Sequence, residues 1–498
     1  MVKKLIRFLV IIGLVLPVSL SSVRAQTDPD PGWSSDLAEE QAVVTNHSVR
    51  IDGRQVDYTA TAGTYVLRED DGKPLASMFY MSYMKDGVDD YTERPLLFSF
   101  NGGPGTASVW LHMGVLGPRR VVADMDGFAL QPPYEIVDNE YSILDMADVV
   151  FIDPVATGYS RMVPGEDEHM FHGTMEDIES VGEFIRLWVT RNERWESPKF
   201  LIGESYGTAR ASGLAGHLQE EHLMFLNGVI LVSMTELNYD IGSDLNYALI
   251  FPHYAATAWY HGQLAPELQN TPVAEFLDDV EEFALGDYLS ALTKGGYIPD
   301  SERAGIVEKI YRYTSLSPEF INNVNLRIDR ERFRKELLRH EGKTVGRLDS
   351  RYTGIDRDSG GESIEYDPAL VDWEGTFSGV FNQYIRSELK YETDLKYAIW
   401  GNVRPWNSSP SDDVGEMLRS AMTQNEYLQV MITEGYYDAA CDYFTAEYVF
   451  SHLDLNGHLK DRIRFDYYES GHMMYIHMPS LVKMKTDMAN FIRGAVRR

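Results

Sequence analysis

The chain contains a single cysteine, Cys441, in 498 residues. No intrachain disulfide can form, so the fold must rest on its apolar core alone. For an exported protein of this size that fits a bacterial envelope or secreted setting better than a eukaryotic one. Positive charge is also scarce: 45 Lys and Arg stand against 76 Asp and Glu, a formal net charge of −31. Such a surface argues against nucleic acid and anionic membranes as partners and serves solubility. No continuous apolar span occurs after the first residues. Before that, Lys3, Lys4 and Arg7 precede an apolar run over 8–20, too short to cross a bilayer comfortably, and Val23-Arg24-Ala25 offers small residues for cleavage. Residues 1–25 are therefore expected to be a signal peptide. The mature chain is expected to be exported, periplasmic or secreted, with no stable membrane association after cleavage. The sequence has no H-E-x-x-H, and Cys441 has no cysteine partner, so no metal and no cofactor are expected.

What is present divides into five stretches. Residues 26–37, rich in Asp, Pro, Ser and Gly, are expected to form a mobile leader; alternating segments follow from 43 to 84, with Asp52-Gly53 as a hairpin turn, which predicts antiparallel strands. Short apolar runs at 95–100, 148–153, 199–202 and 225–234 then alternate with helical patterns. In the clearest of these, Ile178, Val181, Phe184, Ile185 and Trp188 recur at spacings of three and four. This predicts an α/β fold: an open, mostly parallel sheet with helices on both faces and its chemistry at the strands' carboxyl ends. From 238 to 406 the pattern is mainly helical, with a polar, glycine-rich loop over 349–366, and reads as a cap inserted over the sheet. Strands at 428–433 and 462–467 resume the core. The expected organisation is 26–237 and 407–498 as core, with 238–406 as cap.

The stretch Gly203-Glu-Ser-Tyr-Gly207 reads G-x-S-x-G between an apolar strand and a helix-compatible segment, the setting of a nucleophile elbow. An activated serine needs a base and the base an orienting acid, and on such folds these follow as acid, then histidine. Asp438, after the strand ending at Thr433, and His472, after the last strand, fit that order with Ser205. Asp442 is the main rival for the acid and Asp466 a distant second. Asn101-Gly-Gly-Pro-Gly105 follows another strand, where the amides of Gly103 and Tyr206 could hold an oxyanion. His112, His217, His253 and His477 read as structural or surface residues.

Together these motifs, with Asp153-Pro-Val-Ala-Thr-Gly-Tyr-Ser160, Gly435-Tyr-Tyr-Asp438 and Gly471-His-Met473, resemble the serine carboxypeptidase family, in its order and across almost the whole core. The resemblance implies an α/β-hydrolase that removes C-terminal residues from peptides. It also implies that Asn101, Glu204 and the Gly102 amide bind the substrate's terminal carboxylate. Glu204 must then be protonated to donate, so peptidase activity is expected to favour acidic pH. The chain departs from the common family pattern at Ser99, where Trp is usual, at Thr106-Ala-Ser108, after Gly207, and at Asp442. These departures suggest a bacterial, disulfide-free branch and leave the side-chain pockets open. The alternatives are an esterase or acyltransferase on the same core, or, in a different class, a non-catalytic binding protein. Peptides are the expected partners. Oligomeric state is left open, a homodimer included.

Overall fold

The central strands are short, apolar and buried on both faces, as a sheet with helices packed on each side requires. The computed structural model describes residues 39–237, 239, 241–409, 411–455 and 457–496. The expected signal peptide lies outside the described residues. Nine strands carry the main sheet: β1 (Ala42–Ile51), β2 (Arg54–Arg68), β3 (Pro74–Lys85), β4 (Leu96–Phe100), β5 (Asp148–Ile152), β6 (Lys199–Ser205), β7 (Gly228–Met234), β8 (Gln429–Gly435) and β9 (Ile463–Tyr468). Their spatial order is β1-β2-β3-β5-β4-β6-β7-β8-β9, and the two-residue strand Arg161–Met162 adds to β3. The first three strands form an antiparallel meander, with β1 and β2 turning at Asp52-Gly53. β3 meets β5 antiparallel, and every pairing from β5 through β9 is parallel.

Successive residues of these strands feed two separate cores, as the period of two dictates. Leu97, Val149, Phe151, Phe200, Ile202, Ile230 and Met431 join one cluster. Phe98, Val150, Ile152, Leu201, Val229, Leu231 and Ile432 join the other. Helices α1 (Thr174–Arg191), α2 (Tyr206–His222) and α4 (Val414–Gln424) cover the second face, with Ile178, Leu214 and Leu418 buried there. Helices α3 (Pro368–Ser387) and α5 (Met478–Val496) cover the first, through Trp373, Phe377, Phe381, Met484 and Met488.

The segment read as a cap holds two kinds of structure. Its helices from Ser243–Leu249 to Arg330–Glu336 share a core of their own, closed by Tyr437, Tyr443 and Phe444 from the loop and helix after β8. By contrast, α3 packs into the main core. The polar stretch expected to be loop is loop for most of its length, but it opens with Thr353–Gly354 paired to Thr344–Val345. The chain then returns to the sheet's carboxyl edge through bridges from Ala398, Trp400 and Asn407 to Gly158, Thr106 and Gly173.

At the opposite edge, Asp148 is fully buried between two arginines. Its Oδ1 accepts from Arg94 Nε at 3.0 Å, and its Oδ2 accepts from Arg194 at 2.7 Å. The same carboxylate accepts the Lys85 amide at 2.9 Å. One carboxylate thereby joins β3, β5 and the loops before β4 and β6. Removing it would leave two buried cations facing each other. Asp148→Ala is expected to lower stability by about 3–5 kcal/mol, read as a shift of the urea unfolding midpoint.

Candidate active site

Ser205 ends β6 and α2 begins at the next residue. Its backbone sits at φ 58°, ψ −130°, a strained region for a residue with a side chain. The surrounding glycines permit this by close approach. A Cβ on Gly203 would lie 1.9 Å from the Gly207 carbonyl oxygen, and one on Gly102 would lie 2.4 Å from the Tyr206 nitrogen. The loop 101–105 therefore packs directly on the elbow. A buried pair fixes it there: Arg210 donates to the Asn101 carbonyl at 2.6 Å and to Asp177 at 2.7 Å. Gly103 and Gly105 take φ +105° and +94°. The Tyr206 amide stands at the first turn of α2, where helical N–H groups have no partner within the helix.

Asp438 and His472 stand in loops after β8 and β9, and both are buried. His472 Nδ1 and Asp438 Oδ2 are 2.6 Å apart. Asp438 Oδ1 accepts the amides of Ala440 at 2.7 Å and Cys441 at 3.1 Å. Burial pulls the His472 pKa down, but the adjoining Asp438 carboxylate outweighs it, and the imidazole is held above its ordinary value. Ser205 and His472 line one cavity. The rival acids are engaged elsewhere. Asp442 caps the helix Tyr443–Ser451 through the Thr445 amide and pairs with Arg330 at 3.0 Å. Asp466 pairs with Arg464. His112 contacts Tyr83 at 2.7 Å, His253 lies 3.3 Å from the Tyr436 carbonyl, and His477 contacts Ser480 at 2.8 Å. His217 stacks edge-on against His222.

Glu204, Asn101 and Gly102 line the same cavity as Ser205. Asn101 is oriented by its own oxygen, which accepts the Leu111 amide at 3.2 Å. Its Nδ2 is buried without a full hydrogen bond to the protein, yet close enough to favour the charged form of Glu204. Tyr475 donates to Glu204 Oε2 at 2.6 Å, which leaves the other carboxyl oxygen as the place for a proton. Burial raises the Glu204 carboxyl to about 7, against the lowering pull of His472 and Tyr475. The cavity measures about 110 Å³, and Trp110, Leu370, Trp400 and Met473 give it apolar walls. A second cavity of about 970 Å³ opens on the other side of Ser205, lined by Tyr206, Leu237, Tyr239 and Arg330 among others.

Several residues of the site carry no sequence motif. The segment 346–352 ties both late loops together. The Leu348 carbonyl accepts the His472 amide at 2.6 Å, and the Arg347 carbonyl accepts the Ala439 amide at 3.0 Å. Asp349, buried against Arg351 at 2.6 Å, also accepts the Gly471 amide at 3.1 Å. A Cβ on Gly471 would come within 2.4 Å of Asp349, which explains the glycine before His472. This segment is distant in sequence from both loops that it ties, so no local pattern marks it. Tyr475 could have been suspected, three residues after His472 in a short helical turn.

Asp438, Cys441 and His472 bring potential metal-ligand atoms within 4.8 Å of one another. The donor set is poor. Asp438 is already occupied by three hydrogen bonds, and burial pushes the Cys441 thiol up, away from the thiolate that a metal would need.

Comparison with known proteins finds similarity in sequence and in fold. Residues 54–236 match the family model described as serine carboxypeptidase. Serine carboxypeptidase-like 36 of Arabidopsis thaliana is 29% identical over 187 residues, 36% of each chain. Serine carboxypeptidase-like 29 of the same plant is 30% identical over 154 residues, 30% of this chain and 29% of the relative. The pheromone-processing carboxypeptidase KEX1 of Yarrowia lipolytica is 29% identical over 143 residues, 28% of this chain and 22% of the relative. The chain thus aligns with about a third or less of the length of these curated relatives. The crystal structure of Kex1(Δ)p, a prohormone-processing carboxypeptidase from Saccharomyces cerevisiae, superposes with a TM-score of 0.52 at 16% identity, covering 88% of this chain and 92% of that one. That likeness shows the α/β-hydrolase fold. Residues 54–236 are thus similar to the serine carboxypeptidase family, on a chain with the α/β-hydrolase fold.

Proposed function

We propose that the chain is an exported serine carboxypeptidase that hydrolyses the last peptide bond of substrates with a free C-terminus. The observation that carries this reading is Glu204, a buried carboxyl raised to about 7 beside Ser205, with one oxygen held by Tyr475. A hydrolase acting on uncharged esters has no need of a protonatable acid there. The names of the relatives, carboxypeptidases and carboxypeptidase-like proteins, support the same activity.

In the proposed reaction Ser205 Oγ attacks the last peptide carbonyl. His472 takes the serine proton and delivers it to the leaving amino group, while Asp438 holds the ring and stabilises the imidazolium. The amides of Gly103 and Tyr206 receive the negative oxygen of the tetrahedral intermediate. Water, activated by His472, then releases the acyl group as the shortened peptide. Asn101 Nδ2, the Gly102 amide and the proton on Glu204 hold the terminal carboxylate. Trp110, Leu370 and Trp400 surround the departing side chain. Leu370 and Trp400 come from the 238–406 insertion, which we read as shaping this pocket. We assign the chain to a bacterial, disulfide-free branch, on the grounds of the lone Cys441 and the leader sequence.

The sign of the pH dependence follows. Glu204 is protonated below about 7 and loses its proton as pH rises through that value, so carboxylate binding weakens on the alkaline side. His472 must be neutral to act as base, which sets the acid limb for every substrate. For a peptide with a free C-terminus, kcat/KM should fall above about pH 7 by up to about tenfold per unit, mainly through KM. An ester lacking the carboxylate should keep its activity there. Glu204→Gln, which can donate but not titrate, should flatten the alkaline limb for peptides. An unchanged limb in that variant would remove Glu204 from carboxylate binding.

The activity itself is tested by timed mass spectrometry of peptides with free or amidated C-termini. Stepwise shortening of the free peptides, slower on the amides and absent in Ser205→Ala, is the expected result. Ester cleavage without any trimming would favour the esterase or acyltransferase alternative.

A further inference from the structure

The larger cavity opens on the side of Ser205 away from the Asn101–Glu204 pair. In the proposed carboxypeptidase reaction, on which this inference rests, it is where the residue preceding the scissile bond must lie. Two arginines line it, Arg330 and Arg347, facing one carboxylate, Glu236. Arg330 is already paired with Asp442 at 3.0 Å. Arg347 is different. Its backbone is fixed, with the amide donating to Asp367 at 3.0 Å and the carbonyl accepting from Ala439. Its side chain is exposed and forms no ion pair among the described residues.

Arg347 also lines the smaller cavity, and with Gly103, Ser205 and Leu348 it belongs to the rim common to both. It therefore stands beside the scissile bond, near enough for its charge to act on His472. An unpaired cation in that place is unusual on a chain with a net charge of −31. The smaller cavity has apolar walls of Trp110, Leu370, Trp400 and Met473 and offers an acidic side chain little else. The larger cavity adds Thr235, Asn246, Ser408 and Ser409 to its lining.

We propose that Arg347 is a specificity residue that receives the side-chain carboxylate of a penultimate Asp or Glu. It adds a fixed charge to substrate selection, separate from the titrating recognition of the terminal carboxylate by Glu204. The enzyme would thus prefer peptides that are acidic just before their last residue and apolar at it.

The test uses N-acylated peptides that differ only at the penultimate position, Glu, Gln or Lys, with one apolar terminal residue. For the wild type, kcat/KM should favour Glu over Gln by roughly three- to tenfold, and the ratio should shrink as salt is raised. In Arg347→Ala the Glu/Gln ratio should fall to about one. In Arg347→Glu the order should reverse, with Lys preferred. If the Arg347 variants slow all three peptides equally, the residue only positions the neighbouring His472 and the proposal is wrong. The proposal is also overturned if the preference follows an acid placed at the terminal residue instead. Should none of the peptides be trimmed by the wild type at any pH, the carboxypeptidase reading itself fails, a result distinct from loss of selectivity among trimmed substrates.

Discussion

A carboxyl group buried beside the place meant for another carboxylate is the constraint on which the proposed site depends. Two negative groups cannot share a dry pocket, so one proton must be retained between them. The surroundings of Glu204 provide for this. Burial raises its carboxyl to about 7. Tyr475 occupies one oxygen, and Asn101 is turned with its amide nitrogen toward the space by the Leu111 amide. The strained Ser205 follows at once in sequence. Recognition of the chain end and the attacking oxygen are thus placed by one backbone turn, and the distance from terminal carboxylate to scissile carbonyl is fixed with it.

That turn is rigid because its neighbours leave it no room. The loop 101–105 packs on the elbow at distances only glycine allows, and the buried Arg210–Asp177 pair fixes its carbonyl. The histidine and acid come from two late loops that strand geometry alone would not hold in register. The segment 346–352 does so through main-chain bonds to both and through the Asp349–Arg351 pair beneath Gly471. The insertion therefore contributes more than a cover. Part of it belongs to the frame of the site, and α3 belongs to the main core.

Much of this was legible from the sequence for a physical reason. Buried strands and elbows impose local rules, so the apolar runs at 148–153 and 199–202 and the G-x-S-x-G pentapeptide announced themselves. Ser205, Asp438 and His472 could be proposed because each stands at or just beyond the carboxyl end of a strand. That the helix starts already at Tyr206 is not legible locally, since Tyr206 and Gly207 look like turn residues out of context. Helices α3 and α4 have no clear local signature of their own. In α3 the apolar positions are interrupted by Gly375 and Gly379, and α4 is short and mixed in character. Tyr475, Arg347 and the Asp349–Arg351 pair matter through contacts distant in sequence, which no local pattern encodes.

The central claim is that Glu204 gives a proton to the substrate's carboxylate. It can be tested without turnover by calorimetry of the Ser205→Ala protein with an N-acyl dipeptide and with its C-terminal amide, near pH 8, in buffers of different ionisation enthalpy. Glu204 is mostly ionised there when the site is empty, so the account predicts uptake of up to about one proton when the free acid binds and none with the amide. Binding of the free acid with no proton uptake, or equal affinity for acid and amide at lower pH, would contradict it.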